Sequence, residues 1–104
     1  KPVTVRSHYG PDFSSSGHLY LMNLNGKGRK ERDDFIIRLA EKEIAANVHY
    51  KPLPLHTGYR KLGFRPEDYP HAVALFENEV TLPLNTCLTD EMVEYLLENV
   101  GALL

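Results

Sequence analysis

Apolar and polar positions fall in blocks along the chain, and the period of each block indicates the element it predicts. His18 to Leu24, HLYLMNL, is dense in aromatic and aliphatic residues and stops at Asn25-Gly26, the pattern of a strand entering a turn. Leu19, Leu21 and Asn23 fall on one side of that strand; His18, Tyr20, Met22 and Leu24 fall on the other. From Arg29 to about Ile44 the period lengthens. Phe35, Ile36, Leu39, Ala40 and Ile44 recur at helical spacing, and Arg32, Asp33, Arg38, Glu41 and Lys42 fill the opposite face. Asn47 to Tyr50 reads as a second strand, kept short because Pro52 cannot donate to a ladder. Thr57 to Leu62 suits one helical turn. Pro70 fits the first turn of a short helix that carries Ala72, Val73 and Phe76 and ends near Glu79. Val80 to Leu84, VTLPL, predicts a third strand that Pro83 ends or holds at an edge. Thr89 is a good N-cap for a last helix. Asp90 and Glu91 complement its dipole, and Met92, Val93, Leu96, Leu97 and Val100 form its apolar stripe.

That order predicts an α+β fold, a two-layer α/β sandwich: a small sheet of about three strands with helices packed on one face. The other face is left for a partner or ligand. Residues 1–17 combine a Val3/Val5 alternation with the turn-formers Gly10, Pro11, Asp12, Ser14, Ser15, Ser16 and Gly17, and are expected to be a connecting arm to a domain over 18–104. A chain of 104 residues is the size of one domain with a single modest core.

Charge and composition narrow the partners. Twelve basic side chains stand against 14 acidic ones, and the one basic cluster, Lys27 to Arg32, is interrupted by Gly28 and Glu31, which argues against nucleic acid. No apolar run approaches the roughly 20 residues of a membrane span, and the amino end lacks a signal-peptide core, so no membrane is expected. The single cysteine, Cys87, excludes an internal disulfide and the paired thiolates of a structural zinc site. A soluble, cytoplasmic protein is expected. Because the chain opens at Lys1 in mid-pattern, it is also expected to be a piece of a longer one.

The chemistry gathers in Asn47 to Gly63, NVHYKPLPLHTGYRKLG. Pro52 and Pro54 fix their own φ and push Lys51 and Leu53 towards extended geometry, which makes a stiff loop at a strand end. On a strand, His49 and Tyr50 would point to opposite faces, one inward and one towards a cleft. Imidazole can donate or accept a hydrogen bond and suits sugar hydroxyls, carboxylates or phosphates; a strand-end histidine bonded only to backbone is the plainer reading. His56 lies seven residues on, close enough to share a ligand if the loop folds back. Lys51 adds a cation, or is simply solvated. With no third ligand at a recognisable spacing, a metal site is not expected. Tyr59, Arg60 and Lys61 could offer a nucleotide an aromatic face and two cations, but an exposed helical turn explains them as well. His8, Tyr9, His18 and His71 are scattered, Cys87 has no activating base, and Asp33/Asp34 and Asp90/Glu91 sit where helix starts place acids. No nucleophile system and no Gly-rich phosphate loop is present, so no catalytic residue is assigned.

The ordered set HLYLMNL, RKERDDFIIRLAEKEIAANVHYKPLPLH, GYRKLGF and VTLPLNTCLTDEMVEYLLENV resembles the carboxy-terminal region of the DegT/DnrJ/StrS-type sugar aminotransferases, from His18 to about Leu104. In that family a histidine opens the first strand, an HY-x-P loop ends in histidine, and an L-P-L strand precedes an L-T-D-E helix. Two departures stand out. Glu43 occupies a common glycine position, so the helix is expected to end without the left-handed glycine cap. Asn85-Thr86 replaces an aromatic or histidine followed by proline, which bears on substrate preference if that position lines the site.

The resemblance implies the small domain of a fold-type-I enzyme dependent on pyridoxal phosphate (PLP), which moves an amino group from a donor such as glutamate to a nucleotide-linked keto sugar. It implies that a lysine of the large domain of the same chain carries the cofactor and that a homodimer completes the site. None of Lys1, Lys27, Lys30, Lys42, Lys51 and Lys61 lies in that lysine's motif. By position His49 and Tyr50, with Lys51 and His56, match the substrate-facing loop. The alternatives are a non-catalytic module that holds a sugar or anion with the same loop, and a structural subunit-contact domain.

Overall fold

The computed structural model describes residues 1–104. Three strands form an antiparallel sheet in the order β1 (Val3–Val5), β4 (Tyr20–Leu24), β5 (Glu79–Leu82), and β2 (Tyr9–Gly10) and β3 (Phe13–Ser14) make a separate small hairpin. Val3 faces Leu24 and Val5 faces Met22 across one ladder; Tyr20 faces Leu82 and Met22 faces Val80 across the other. Four helices complete the chain: α1 (Arg29–Ala40), α2 (Thr57–Lys61), α3 (Pro70–Glu77) and α4 (Asp90–Leu103). The α+β class and a sheet of three strands are as the sequence pattern predicts, with β1 in place of the strand expected at Asn47–Tyr50.

Strand alternation divides the sheet chemically. Met22, Leu24, Val80 and Leu82 face α1 and α4, where they pack with Phe35, Leu39, Ile44 and Val100 into the core. Asn23, Glu79 and Thr81 point to the other face and are nevertheless buried. Asn23 Nδ2 donates to Leu75 O and Asn78 Oδ1, which ties the end of α3 to that face.

Three expectations need correcting. Residues 1–17, expected as an arm, supply strand β1: Val3–Val5 pairs with β4, and Arg6 N–H donates to Leu21 O. Asn47–Tyr50 does not form a strand. Only Asn47 joins the sheet, exchanging both backbone bonds with Thr81 at 3.0 and 2.7 Å, and the chain then bends away. Of the α4 stripe, Val100 is buried and Leu96 half-buried, while Met92, Val93 and Leu97 are exposed. The helix meets the core through its C-terminal half.

Local signals explain the element ends. Thr89 Oγ1 accepts the Met92 N–H at 3.2 Å, the N-cap bond expected for α4. Gly28 precedes α1 with no side chain to offer, and Glu31 Oε2 reaches back to its N–H at 3.2 Å. Gly26, at φ 71°, makes the turn after β4 that a side chain would strain. Beyond α1, Glu43 N–H bonds to Ala40 O and Ile44 N–H to Leu39 O, the paired bonds of a Schellman stop. Glu43 holds φ 58°, so the left-handed cap is kept although its usual glycine is not.

Candidate functional site

A groove of about 430 Å³ lies beside the bend after Asn47, lined on one side by His49, Tyr50, Lys51, Pro52 and Leu53 and on the other by Ala72, Leu75, Phe76 and Glu79. It is an open, largely apolar cleft with a few polar groups on one wall, the usual make-up of a small-molecule site. Three of the four residues singled out in the sequence meet here. His49 is half-buried, Tyr50 and Lys51 are exposed at the rim, and the His49 and Tyr50 rings stand edge to face with centroids 4.6 Å apart. The two side chains therefore do not diverge as strand neighbours would. The peptide between them is cis. His49 Nδ1 is buried without a hydrogen-bond partner.

His56 is not in the groove wall. Its Nε2 lies 3.3 Å from Lys51 O, so it closes the Pro52–Pro54 loop on itself and holds Lys51 in place. Leu53–Leu55 makes a single 3-10 turn, with the fixed φ of Pro52 before it and of Pro54 within it, and is closed by this contact.

The far side of the groove includes Glu79 and rests on Arg32 behind it, residues the sequence did not flag. Glu79 is 2% exposed; its Oε2 accepts the His49 N–H at 2.9 Å and its Oε1 accepts the Thr81 hydroxyl at 2.5 Å. Arg32 of α1, also 2% exposed, donates through Nη1 to Phe76 O at 2.8 Å and to Glu79 O at 3.4 Å, and through Nε to Asp33 Oδ1 at 2.6 Å. Its guanidinium lies 4.8 Å from the Phe76 ring centroid, and that of Arg29 lies 5.4 Å from it. A helical arginine and a strand-start glutamate look like ordinary surface residues in sequence. Strand alternation puts position 79 on the face away from Val80 and Leu82, where a polar residue is ordinary, so no sequence signal marked its burial.

A second groove, about 330 Å³, shares Pro52, Leu53 and Ala72 with the first and is walled by Pro54, Tyr59, Phe64 and Tyr69. Tyr59 and Phe64 meet edge to face at 6.0 Å, while Arg60 and Lys61 are exposed beside it. Asn85 is not in either groove; its Oδ1 accepts the Cys87 N–H at 2.9 Å in a local turn. No three histidine, cysteine or acidic side chains converge as metal ligands, and no helix is long and apolar enough to cross a membrane.

A lysine that carries PLP is activated by desolvation in a pocket. All six lysines here are exposed, including Lys51 at the groove rim. None of them has the desolvated setting that such a lysine needs, so the lysines of this chain do not fit the cofactor. What the groove can do is bind and orient: imidazole, phenol and ammonium groups side by side can bond hydroxyls and neutralise an anion.

Comparison with known proteins gives these features a context. The model of the DegT/DnrJ/EryC1/StrS aminotransferase family matches residues 2–101, so the likeness begins well before His18. Spr1654 of Streptococcus pneumoniae, assigned as a sugar aminotransferase and solved in apo, PLP and PMP forms, superposes with a TM-score of 0.95 at 46% identity, covering 98% of this chain and 26% of that one. The protein MJ1066 of Methanocaldococcus jannaschii, itself uncharacterised, is 38% identical over 86% of this chain and 23% of its own length. A dTDP-3-amino-3,6-dideoxy-alpha-D-galactopyranose transaminase of Aneurinibacillus thermoaerophilus is 30% identical over 81% of this chain and 22% of its own. The chain spans about a quarter of the length of each of these relatives.

Proposed function

The chain belongs to the DegT/DnrJ/EryC1/StrS aminotransferase family, and on that premise we propose that it is the substrate-binding small domain of a PLP-dependent sugar aminotransferase. The longer enzyme transfers an amino group from an amino acid such as glutamate to a nucleotide-linked keto sugar. PLP is held mainly by the large domain, whose lysine carries it, and a homodimer completes the site. This domain supplies binding groups.

The observation that carries this reading is the convergence of His49, Tyr50 and Lys51 on one groove wall, with His56 bracing the loop behind them. In the proposed complex Lys51 and the His49 imidazole face the diphosphate or the sugar hydroxyls, and the Tyr50 hydroxyl adds a further donor. Holding the sugar so that its keto carbon meets the cofactor's amine is a positional contribution to catalysis; when bound, PLP supplies the amino-transfer chemistry. His56 acts through the loop and touches no substrate. The relation to relatives whose names specify sugar transamination supports the substrate class.

The test is His49→Ala in the longer enzyme. Nucleotide-sugar turnover should fall by about tenfold or more, the loss of one charge-assisted hydrogen bond, while PLP occupancy read by absorbance is unchanged. Unchanged sugar turnover would remove His49 from the site.

A further inference from the structure

The groove wall is held from below by a buried carboxylate that the proposed binding chemistry does not use. We infer that Glu79 is a positioning residue for the nucleotide-sugar, acting through the His49 backbone; this rests on the reading that His49, Tyr50 and Lys51 touch that substrate.

The geometry is specific. Segment 47–50 has no ladder beyond Asn47, so after its two bonds to Thr81 nothing in the sheet fixes the chain's course. The next backbone donor inward is the His49 N–H, and it goes to Glu79 Oε2 at 2.9 Å. The other carboxylate oxygen takes the Thr81 hydroxyl at 2.5 Å, which fixes the plane of the carboxylate. Thr81 is also the residue that pairs with Asn47. Loop and strand are thus clasped at 47 by backbone and at 49 by side chain, one on each side of the bend.

Glu79 is itself fixed. It sits in register opposite Asn23 on β4, and its carbonyl accepts from the buried Arg32, which also holds the Phe76 carbonyl in the opposite groove wall. One guanidinium on α1 therefore contacts two carbonyls on the far side of the groove, Phe76 O at 2.8 Å and Glu79 O at 3.4 Å. A carboxyl group placed this deep is costly to desolvate unless it is hydrogen-bonded. Here its hydrogen bonds orient the one loop that carries the binding groups. Isolated backbone satisfaction would need only a neutral acceptor. One carboxyl group here takes two donors, the His49 N–H and the Thr81 hydroxyl, and so couples the loop to the strand through both of its oxygens.

The experiment uses the full-length enzyme and measures the KM of nucleotide-sugar, the KM of the amino donor, cofactor absorbance and the thermal midpoint. Glu79→Gln offers one acceptor oxygen where two are used, Thr81→Val removes the bond that orients the carboxylate, and Glu79→Ala removes both. Ile44→Val loosens the core alone and serves as the structural comparison. The expected result is a rise in nucleotide-sugar KM of about threefold for Glu79→Gln and Thr81→Val and about tenfold for Glu79→Ala, with amino-donor KM and cofactor absorbance unchanged. Ile44→Val should lower the midpoint without separating the two KM values. If Glu79→Ala does not fold, the two milder variants decide the matter.

Two results would overturn the role: KM values for both substrates moving together in step with the midpoint, or neither moving. His49→Ala, Tyr50→Ala and Lys51→Ala separate the layers of the argument. If these leave nucleotide-sugar KM unchanged, the binding reading itself fails; if they raise it while the Glu79 variants do not, only the positioning role fails.

Discussion

The sheet with α1 and the C-terminal end of α4, and the segment between Ala45 and Leu75, are built on different terms. The first region holds the apolar core, with Leu39 and Val80 fully buried between strands and helices. In the second only Pro54 is buried, and Tyr50, Leu53, Tyr59, Leu62, Phe64 and Tyr69 are exposed around two open grooves. The core region is stabilised by area removed from water. The groove region is shaped by prolines, by the His56 brace and by the Glu79 clasp, and keeps its apolar and polar groups available. Separating the two lets the groove wall present side chains without sharing the packing that holds the fold.

The sharpest way to break this contrast is to truncate one leucine in each region. Leu39→Ala should destabilise the protein by about 2–5 kcal/mol through lost burial and a residual cavity, whereas Leu62→Ala, at a position 75% exposed, should stay within about 0.5 kcal/mol. Urea denaturation of both variants checks it, and equal losses would mean that the groove region shares the core. A smaller effect tests α4, which belongs to the core at only one end. Thr89→Ala removes the cap at its far end and should cost about 1 kcal/mol by the same measurement.

Glu43→Gly works in the opposite direction. It should stabilise the protein by about 1 kcal/mol, because φ 58° strains any side chain while the Schellman bonds at the end of α1 remain. The smallest effect is at the start of that helix. The Glu31 carboxyl is held below its ordinary value of 4.5 chiefly by its own N–H and that of Gly28, opposed by desolvation and helped by Lys27 and Lys30. A depressed folded pKa means a stabilisation present above the unfolded value and lost as pH falls through the folded one. Wild type should therefore exceed Glu31→Gln slightly in thermal midpoint at neutral pH, and the difference should close below pH 4.5.

Much of the core region was legible in sequence because its signals are periodic and local. The helical spacing through Phe35 and Leu39, the HLYLMNL run stopping at Asn25-Gly26, and the Thr89 cap each name an element without help from distant residues. Pro2 to Val5 read as strand-like, but its place in the sheet did not, since two valines in an expected arm join a ladder only when Leu24 and Met22 arrive to pair with them. The family resemblance was also readable. The interior of the candidate site was not. Its structure depends on partners far apart in the chain: Arg32 reaches the Phe76 carbonyl 44 residues on, and His49 reaches Glu79 30 residues on. A buried charge gives no sign of itself in a hydropathy pattern. The bend that replaced the expected strand at Val48 and His49 comes from the same contact, with the His49 N–H drawn to a side chain instead of a ladder.

The most direct test of the central claim, that this domain's stiff loop is a wall of the nucleotide-sugar site, is a crystal structure of the full-length enzyme with a nucleotide-sugar bound. The account predicts diphosphate or sugar density in the groove between His49 and Phe76, within hydrogen-bond reach of His49, Tyr50 or Lys51. A nucleotide-sugar seated against the cofactor with this groove empty would contradict it.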